Sequence, residues 1–209
     1  MLIKILILQA RKIKPYYICN VENKSKNMDK RKIQPGFIFV ASVIIAGALF
    51  RFIPHWPNFT PIAAMALFGG AYIGRKHLAF LIPFAAMFLS DLVLGLHKDM
   101  WAVYLAFGLT VMIGTLIRSN IRFVTVTGAA AGSSVIFFLL TNFGSWLASP
   151  FYPQTFGGLM QSYIAGLAFI NNGSYGISFF LNELAGGLFY SGIFFGVYAL
   201  ARQRFPVLS

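Results

Sequence analysis

The chain has 209 residues, of which 58% are hydrophobic and only 11% charged, with a mean hydropathy of +0.73, whereas soluble domains carry about 25% charged residues. A formal charge of +12 would suit nucleic acid if the basic residues shared one face, but nine of the seventeen Lys and Arg precede residue 33 and the rest stand singly or in pairs at the ends of apolar runs. That is the charge pattern of membrane flanks, and it excludes both a nucleic-acid-binding face and an ordinary soluble domain.

Residues 1–34 read as a basic, disordered cytoplasmic tail. Its apolar stretch from Leu2 to Leu8 is too short to span a bilayer, and the absence of a small-residue cleavage site after it argues against a signal peptide. Lys24, Lys26, Lys30, Arg31 and Lys32 suit contact with anionic lipid. Translation starting at Met28 is an equal alternative, which an intact mass beginning at Met1 would exclude. Cys19, the only cysteine, lies in this tail, so intramolecular disulfides and any Cys-based site within the membrane are ruled out.

From residue 35 to 203 the chain reads as one all-α integral membrane domain of six transmembrane helices, at about 36–53, 60–75, 77–96, 100–117, 123–147 and 175–201. A span needs roughly 20 apolar residues, and backbone satisfaction in lipid requires helices where no alternating period is present. The second run, short and rich in glycine (Gly69, Gly70, Gly74), is expected to be tilted, broken or shielded by its neighbours. Six crossings place fifteen of the seventeen basic residues on one side and only Arg51 and Lys98 on the other, which predicts an N-in, C-in multi-pass protein of the cell membrane.

This topology gathers the chemically varied segments, 51–61, 90–101 and 141–175, on the side away from the basic loops. Asp91 is placed roughly 6 Å below Gly95, and Glu183 roughly 12 Å into the sixth helix. Carboxylates at such depth must be paired or face water, so both should point into the bundle. Arg51 could pair with either. Asp91 reads equally as a structural anchor within Ser90–Gly95 and as a site residue, while Glu183, beside Asn182, reads as lining a cavity.

Ser134, Phe138, Asn142 and Ser145 share one face of the fifth helix, followed by Trp146, Tyr152, Pro153 and Gln154. They read either as a pocket wall or as interhelical bonding beneath an interfacial aromatic belt. The stretch 150–174 is expected to form an outer re-entrant or lid segment, because the 14 residues from Gly157 to Ile170 are apolar but too short to span.

His55 and His97 flank the outer mouth. They lack His-x-x-x-His or His-Glu spacing, so a loop histidine bonded to backbone is favoured over a metal ligand, and no metal or cofactor is predicted. Small-residue pairs four apart (Ser42 and Ala46, Gly70 and Gly74, Gly128 and Gly132, Gly192 and Gly196) are expected mostly to pack helices internally, although Ser42 and Ala46 suit a partner protein. The glycosylation patterns at Asn58-Phe59-Thr60 and Asn172-Gly173-Ser174 read as chance matches against the bilayer. No nucleotide-binding loop, nucleophile elbow or zinc-protease motif is present.

Residues 51–70 (RFIPHWPNFTPIAAMALFGG), 89–97 (LSDLVLGLH) and 137–146 (FFLLTNFGSW) resemble an uncharacterised family of small bacterial six-helix membrane proteins, over residues 36–201. That family in turn resembles the substrate-binding S-components of energy-coupling-factor transporters. The resemblance implies capture of a vitamin-like or other small micronutrient from outside, with Ser42 and Ala46 docking on an ATPase/transmembrane coupling module. The chain departs from the cobalamin-binding type in having no membrane cysteine, so His55 or His97 would have to take the thiolate's place.

The expected ligand-contacting residues are Arg51, His55, Asn58, Asp91, His97, Asn142, Trp146, Tyr152, Gln154, Asn182 and Glu183. The expected partners are membrane lipid, the coupling module and a small molecule on the outer side. A non-transporting scaffold of the cell envelope is the alternative. An intramembrane enzyme using Asp91, Glu183 or His97 is a third reading, which requires those groups within hydrogen-bond reach of a shared cavity.

Overall fold

The computed structural model describes residues 34–168 and 178–208. The basic tail with Cys19, the Asn172-Gly173-Ser174 pattern and the expected start of the sixth span at 175 lie outside the described residues.

Among the described residues there are seven α-helices, α1 (Pro35–Phe50), α2 (Ile62–Tyr72), α3 (Lys76–Leu94), α4 (Met100–Ile117), α5 (Phe123–Ala148), α6 (Phe156–Ala168) and α7 (Phe179–Arg204), followed by a 3₁₀ turn at Pro206–Leu208. No strand occurs among the described residues. Four helices, α3, α4, α5 and α7, are long and apolar enough to cross a membrane. The other two runs expected to span form shorter apolar helices of 16 and 11 residues, α1 and α2.

The exposed side chains match a lipid-facing role. Leu89, Leu116, Val124 and Leu200 are among the large apolar groups turned outward, whereas Ser90, Asp91, Thr110, Ser133, Ser134, Asn182 and Glu183 are buried. A water-soluble fold puts the large apolar groups inside. In lipid the hydrophobic drive between helices is missing, and close packing and internal hydrogen bonds hold the bundle instead.

Helix α2 lies at the centre, with every residue from Ile62 to Ala71 buried. Of the three expectations for this glycine-rich run, shielding by neighbours is the one observed: it packs against α1, α3, α4, α5 and α7. Its small side chains let those neighbours close in. A Cβ on Gly70 would lie 2.2 Å from the Val111 carbonyl oxygen, and one on Gly114 would lie 2.3 Å from that of Leu67, so α2 and α4 cross backbone against backbone. Gly69 makes room for Pro83 of α3 in the same way.

The C-terminal end of α2 has carbonyls with no partner in the helix, and Arg118, just past α4, donates to those of Gly70 and Ile73 at 2.7 Å and Gly74 at 3.1 Å. The glycine pairs expected to pack internally mostly do not. Gly74, Gly128, Gly132, Gly192 and Gly196 have nothing near a prospective Cβ, because they fall on outward or open faces that a spacing of four alone does not reveal.

Gly114→Ala should therefore force α2 and α4 apart and lower stability by about 1–3 kcal/mol or more, whereas Gly128→Ala, with open space around it, should be neutral or stabilise by up to about 1 kcal/mol. Thermal unfolding of the purified protein in detergent compares the two.

Candidate functional site

At the N-terminal end of α2, a cavity of about 410 Å³ opens between the ends of α1, α3, α4, α5, α6 and α7. Because α2 spans only roughly 16 Å, the longer helices around it extend past its start at Ile62 and wall this space.

The α1–α2 connection forms one rim and is pinned to α7. Asn182 Nδ2 donates to the Pro57 carbonyl at 2.9 Å, Gly186 lets Phe59 and Thr60 lie against α7, and Phe59 packs on Phe189 and Tyr190. Asn58 has φ 63°, a left-handed conformation that asparagine tolerates better than most residues. On the opposite rim α3 ends at Gly95, whose φ of 103° and ψ of 146° are essentially restricted to glycine. That turn carries the chain to His97 and Asp99.

Arg51, Asp91 and Tyr104 join three helices beside the cavity. Arg51 Nη2 pairs with Asp91 Oδ1 at 2.5 Å, and Nη1 donates to Ser90 Oγ and to the Met87 carbonyl at 3.3 Å. Tyr104 donates to Asp91 Oδ2 at 2.8 Å. Both Asp91 oxygens are thus engaged, and Arg51 pairs with Asp91 rather than with Glu183. Asp99 forms a second knot: His97 Nδ1 lies 2.6 Å from Oδ1, and Ser145 Oγ donates to Oδ2 at 2.9 Å.

Glu183 is different. It lines the cavity and the residue is only 3% exposed, yet among the described residues nothing pairs or hydrogen-bonds with its carboxyl. Only its main-chain carbonyl is engaged, by Ser134 Oγ at 3.3 Å. Its position also differs from expectation, since α7 begins at Phe179 and puts Glu183 about 6 Å along the helix. Burial there comes from neighbouring elements as well as from depth along the axis.

Helix α6 forms a further wall through Ser162, Ala165 and Gly166. It is held to α5 where Tyr163 donates to the Leu139 carbonyl at 3.2 Å and Gly166 sits against Asn142 and Phe138.

Of the residues singled out from the sequence, Arg51, Asn58, Asp91, His97, Asn142, Tyr152 and Glu183 line this cavity. Four others do not. His55 bonds the Ile53 carbonyl at 2.6 Å on an exposed loop, Trp146 donates to the Pro153 carbonyl and Gln154 to that of Trp146, and Asn182 braces the α1–α2 connection. The polar face of α5 divides: Asn142 and Ser145 face the cavity, while Ser134 and Phe138 pack against α7.

Asp99 was not among the expected site residues, although its place just before α4 and two residues after His97 was a usable signal. Tyr104 gave none, because its contact with Asp91 depends on how α3 and α4 meet. Among the described residues no three His, Cys, Asp or Glu side chains converge for a metal ion. Ser42 and Ala46 lie exposed on α1.

Partial burial pushes the Asp99 carboxyl up, but hydrogen bonds from His97, Ser145 and its own backbone outweigh this and hold it below the usual carboxylate range. A lowered folded-state value means stability that is present above the unfolded value of about 3.9 and lost as pH falls through the folded one. Acid unfolding followed from pH 6 downward should thus lose an Asp99-dependent component only below about pH 4, and Asp99→Asn should remove that component.

The two buried carboxyls should also separate on mutation. Asp91→Asn leaves Arg51 buried without its partner and should cost about 3–5 kcal/mol. Glu183→Gln breaks no contact and should leave the thermal midpoint unchanged or higher.

The chain belongs to DUF6580, a family of unknown function, whose profile matches residues 31–208. No curated protein and no solved structure matches the chain.

Proposed function

We propose that this member of DUF6580 is a membrane-embedded substrate-capturing protein, like the S-components of energy-coupling-factor transporters, for uptake of a vitamin-like or other small micronutrient with an ATP-driven partner. The observation that carries this reading is the cavity: about 410 Å³, lined by side chains from most of the helices, with a buried and uncommitted carboxyl. Ligand sites typically have volumes of about 300–1,000 Å³ and a few placed polar groups among apolar ones.

The distribution of charge supports capture from outside. The cavity end carries Arg51 and Lys98, whereas Arg75, Lys76, Arg118, Arg122, Arg202 and Arg204 belong to the other end of the bundle. The positive-inside tendency then turns the cavity outward, with both termini in the cytoplasm of a bacterial cell. Helix α6 serves as the lid, and the exposed Ser42 and Ala46 on α1 offer a shallow strip for the coupling module.

A scaffold protein has no use for an open polar interior. Asp91, His97 and Glu183 do share the cavity, as an intramembrane enzyme would require; capture is preferred because His97 and Ser145 engage opposite oxygens of Asp99, an arrangement that poses no nucleophile against a base.

Mass spectrometry of small molecules that copurify with the protein from its native membranes tests the proposal. One compound should be retained by the wild type and lost from Glu183→Gln and Asn142→Ala, both of which stay folded in detergent. A clean, empty wild type, or equal retention by both variants, would favour the scaffold reading or a different site.

A further inference from the structure

The lining of the cavity has a chemical sign. Arg51 has its guanidinium directed into Asp91, Ser90 and the Met87 carbonyl, so it offers little to a ligand anion. Asp91 and Asp99 each have both oxygens engaged. Glu183 is the remaining acidic group of the lining, buried and with no hydrogen bond or ion pair to its carboxyl among the described residues.

Four neutral polar groups of the lining, on α5 and α6, point the same way. Thr141 donates to the Phe137 carbonyl at 2.8 Å, Asn142 Nδ2 to that of Phe138 at 2.8 Å, Ser145 to Asp99 at 2.9 Å and Ser162 to the Leu159 carbonyl at 2.8 Å. The three hydroxyl hydrogens are spent on the protein's own acceptors, so those oxygens are left to a ligand as acceptors. Phe137, Phe179 and Tyr152 line the same space, and aromatic faces attract ammonium groups.

Resting on the capture reading above, we propose that the cavity selects a small organic cation, a molecule with a protonated amine on an apolar body, through Glu183 and the surrounding acceptors. A bare metal ion fits less well, because the cavity is many times larger than an ion and no three ligating side chains converge among the described residues. The ammonium supplies the partner that Glu183 lacks, and its N–H groups find hydroxyl oxygens with acceptor capacity left.

Three probes built on one ring test the sign: benzylammonium, benzyl alcohol and benzoate, each titrated against the full chain in detergent while the thermal midpoint is followed. A ligand that binds only the folded state raises the midpoint as its concentration passes the dissociation constant. Benzylammonium should bind about tenfold or more tightly than benzyl alcohol, and benzoate should produce no shift.

Glu183→Gln should remove the preference for the amine over the alcohol, and Glu183→Asp should keep it, provided both variants elute as the wild type does. Equal binding of amine and alcohol overturns the cation assignment while leaving capture standing. Preference for benzoate also overturns it, and would show that the positive helix N-termini of α2 and α4 govern the site instead. If none of the probes shifts the midpoint, the cation assignment falls, and copurified molecules decide separately whether capture falls with it.

Discussion

The contact between Gly70 and Gly114 governs the rest of the molecule. A helix buried on all sides must be thin, and α2 is built from Ala, Gly and a few large side chains that fill the gaps left between its neighbours. Where α2 and α4 cross, each glycine sits where any side chain would strike the other helix's backbone. In lipid, where apolar burial between helices contributes little, this close approach is what association relies on. Helix α2 is also short, 11 residues, and the space left past its start becomes the cavity.

The two ends of α2 are finished differently, and that difference separates the two ends of the bundle. At its C-terminal end Arg118 satisfies three carbonyls and closes the structure. Around its N-terminal end the polar groups are instead divided among the walls: Arg51 with Asp91 and Tyr104, His97 and Ser145 with Asp99. Each group is matched within the protein, and together they hold α1, α3, α4 and α5 apart around an open centre. A buried ion pair is weak evidence of stabilisation in itself. Here the pair fixes how the end of α1 meets α3, and so sets the width of the mouth.

Against that background Glu183 differs in that its carboxyl lines the cavity without a partner among the described residues. Buried polar groups in folded proteins are nearly always satisfied, and the neighbouring carboxyls, Asp91 and Asp99, obey this rule to the last oxygen. A carboxyl kept uncommitted beside the hydroxyls of Thr141, Ser145 and Ser162, whose hydrogens are engaged within the protein, fits a site waiting for a cation, and the aromatic walls suit an apolar body attached to it.

Composition and the spacing of charges were enough to read an all-helical chain with lipid-facing surfaces, because hydropathy over a span-length window depends on local residues alone. Arg51, Asn58, Asp91, His97, Asn142, Tyr152 and Glu183 were also legible as candidates, since polar residues next to apolar helices stand out against their surroundings. Pairwise geometry was not legible. Sequence could not choose between Asp91 and Glu183 as the partner of Arg51, could not find Tyr104, and read as internal packing pairs glycines that face outward. Only the tertiary structure decided these points, because the face a residue presents follows from helix rotation and crossing. Those are set by residues distant in the chain, such as Gly70 and Gly114.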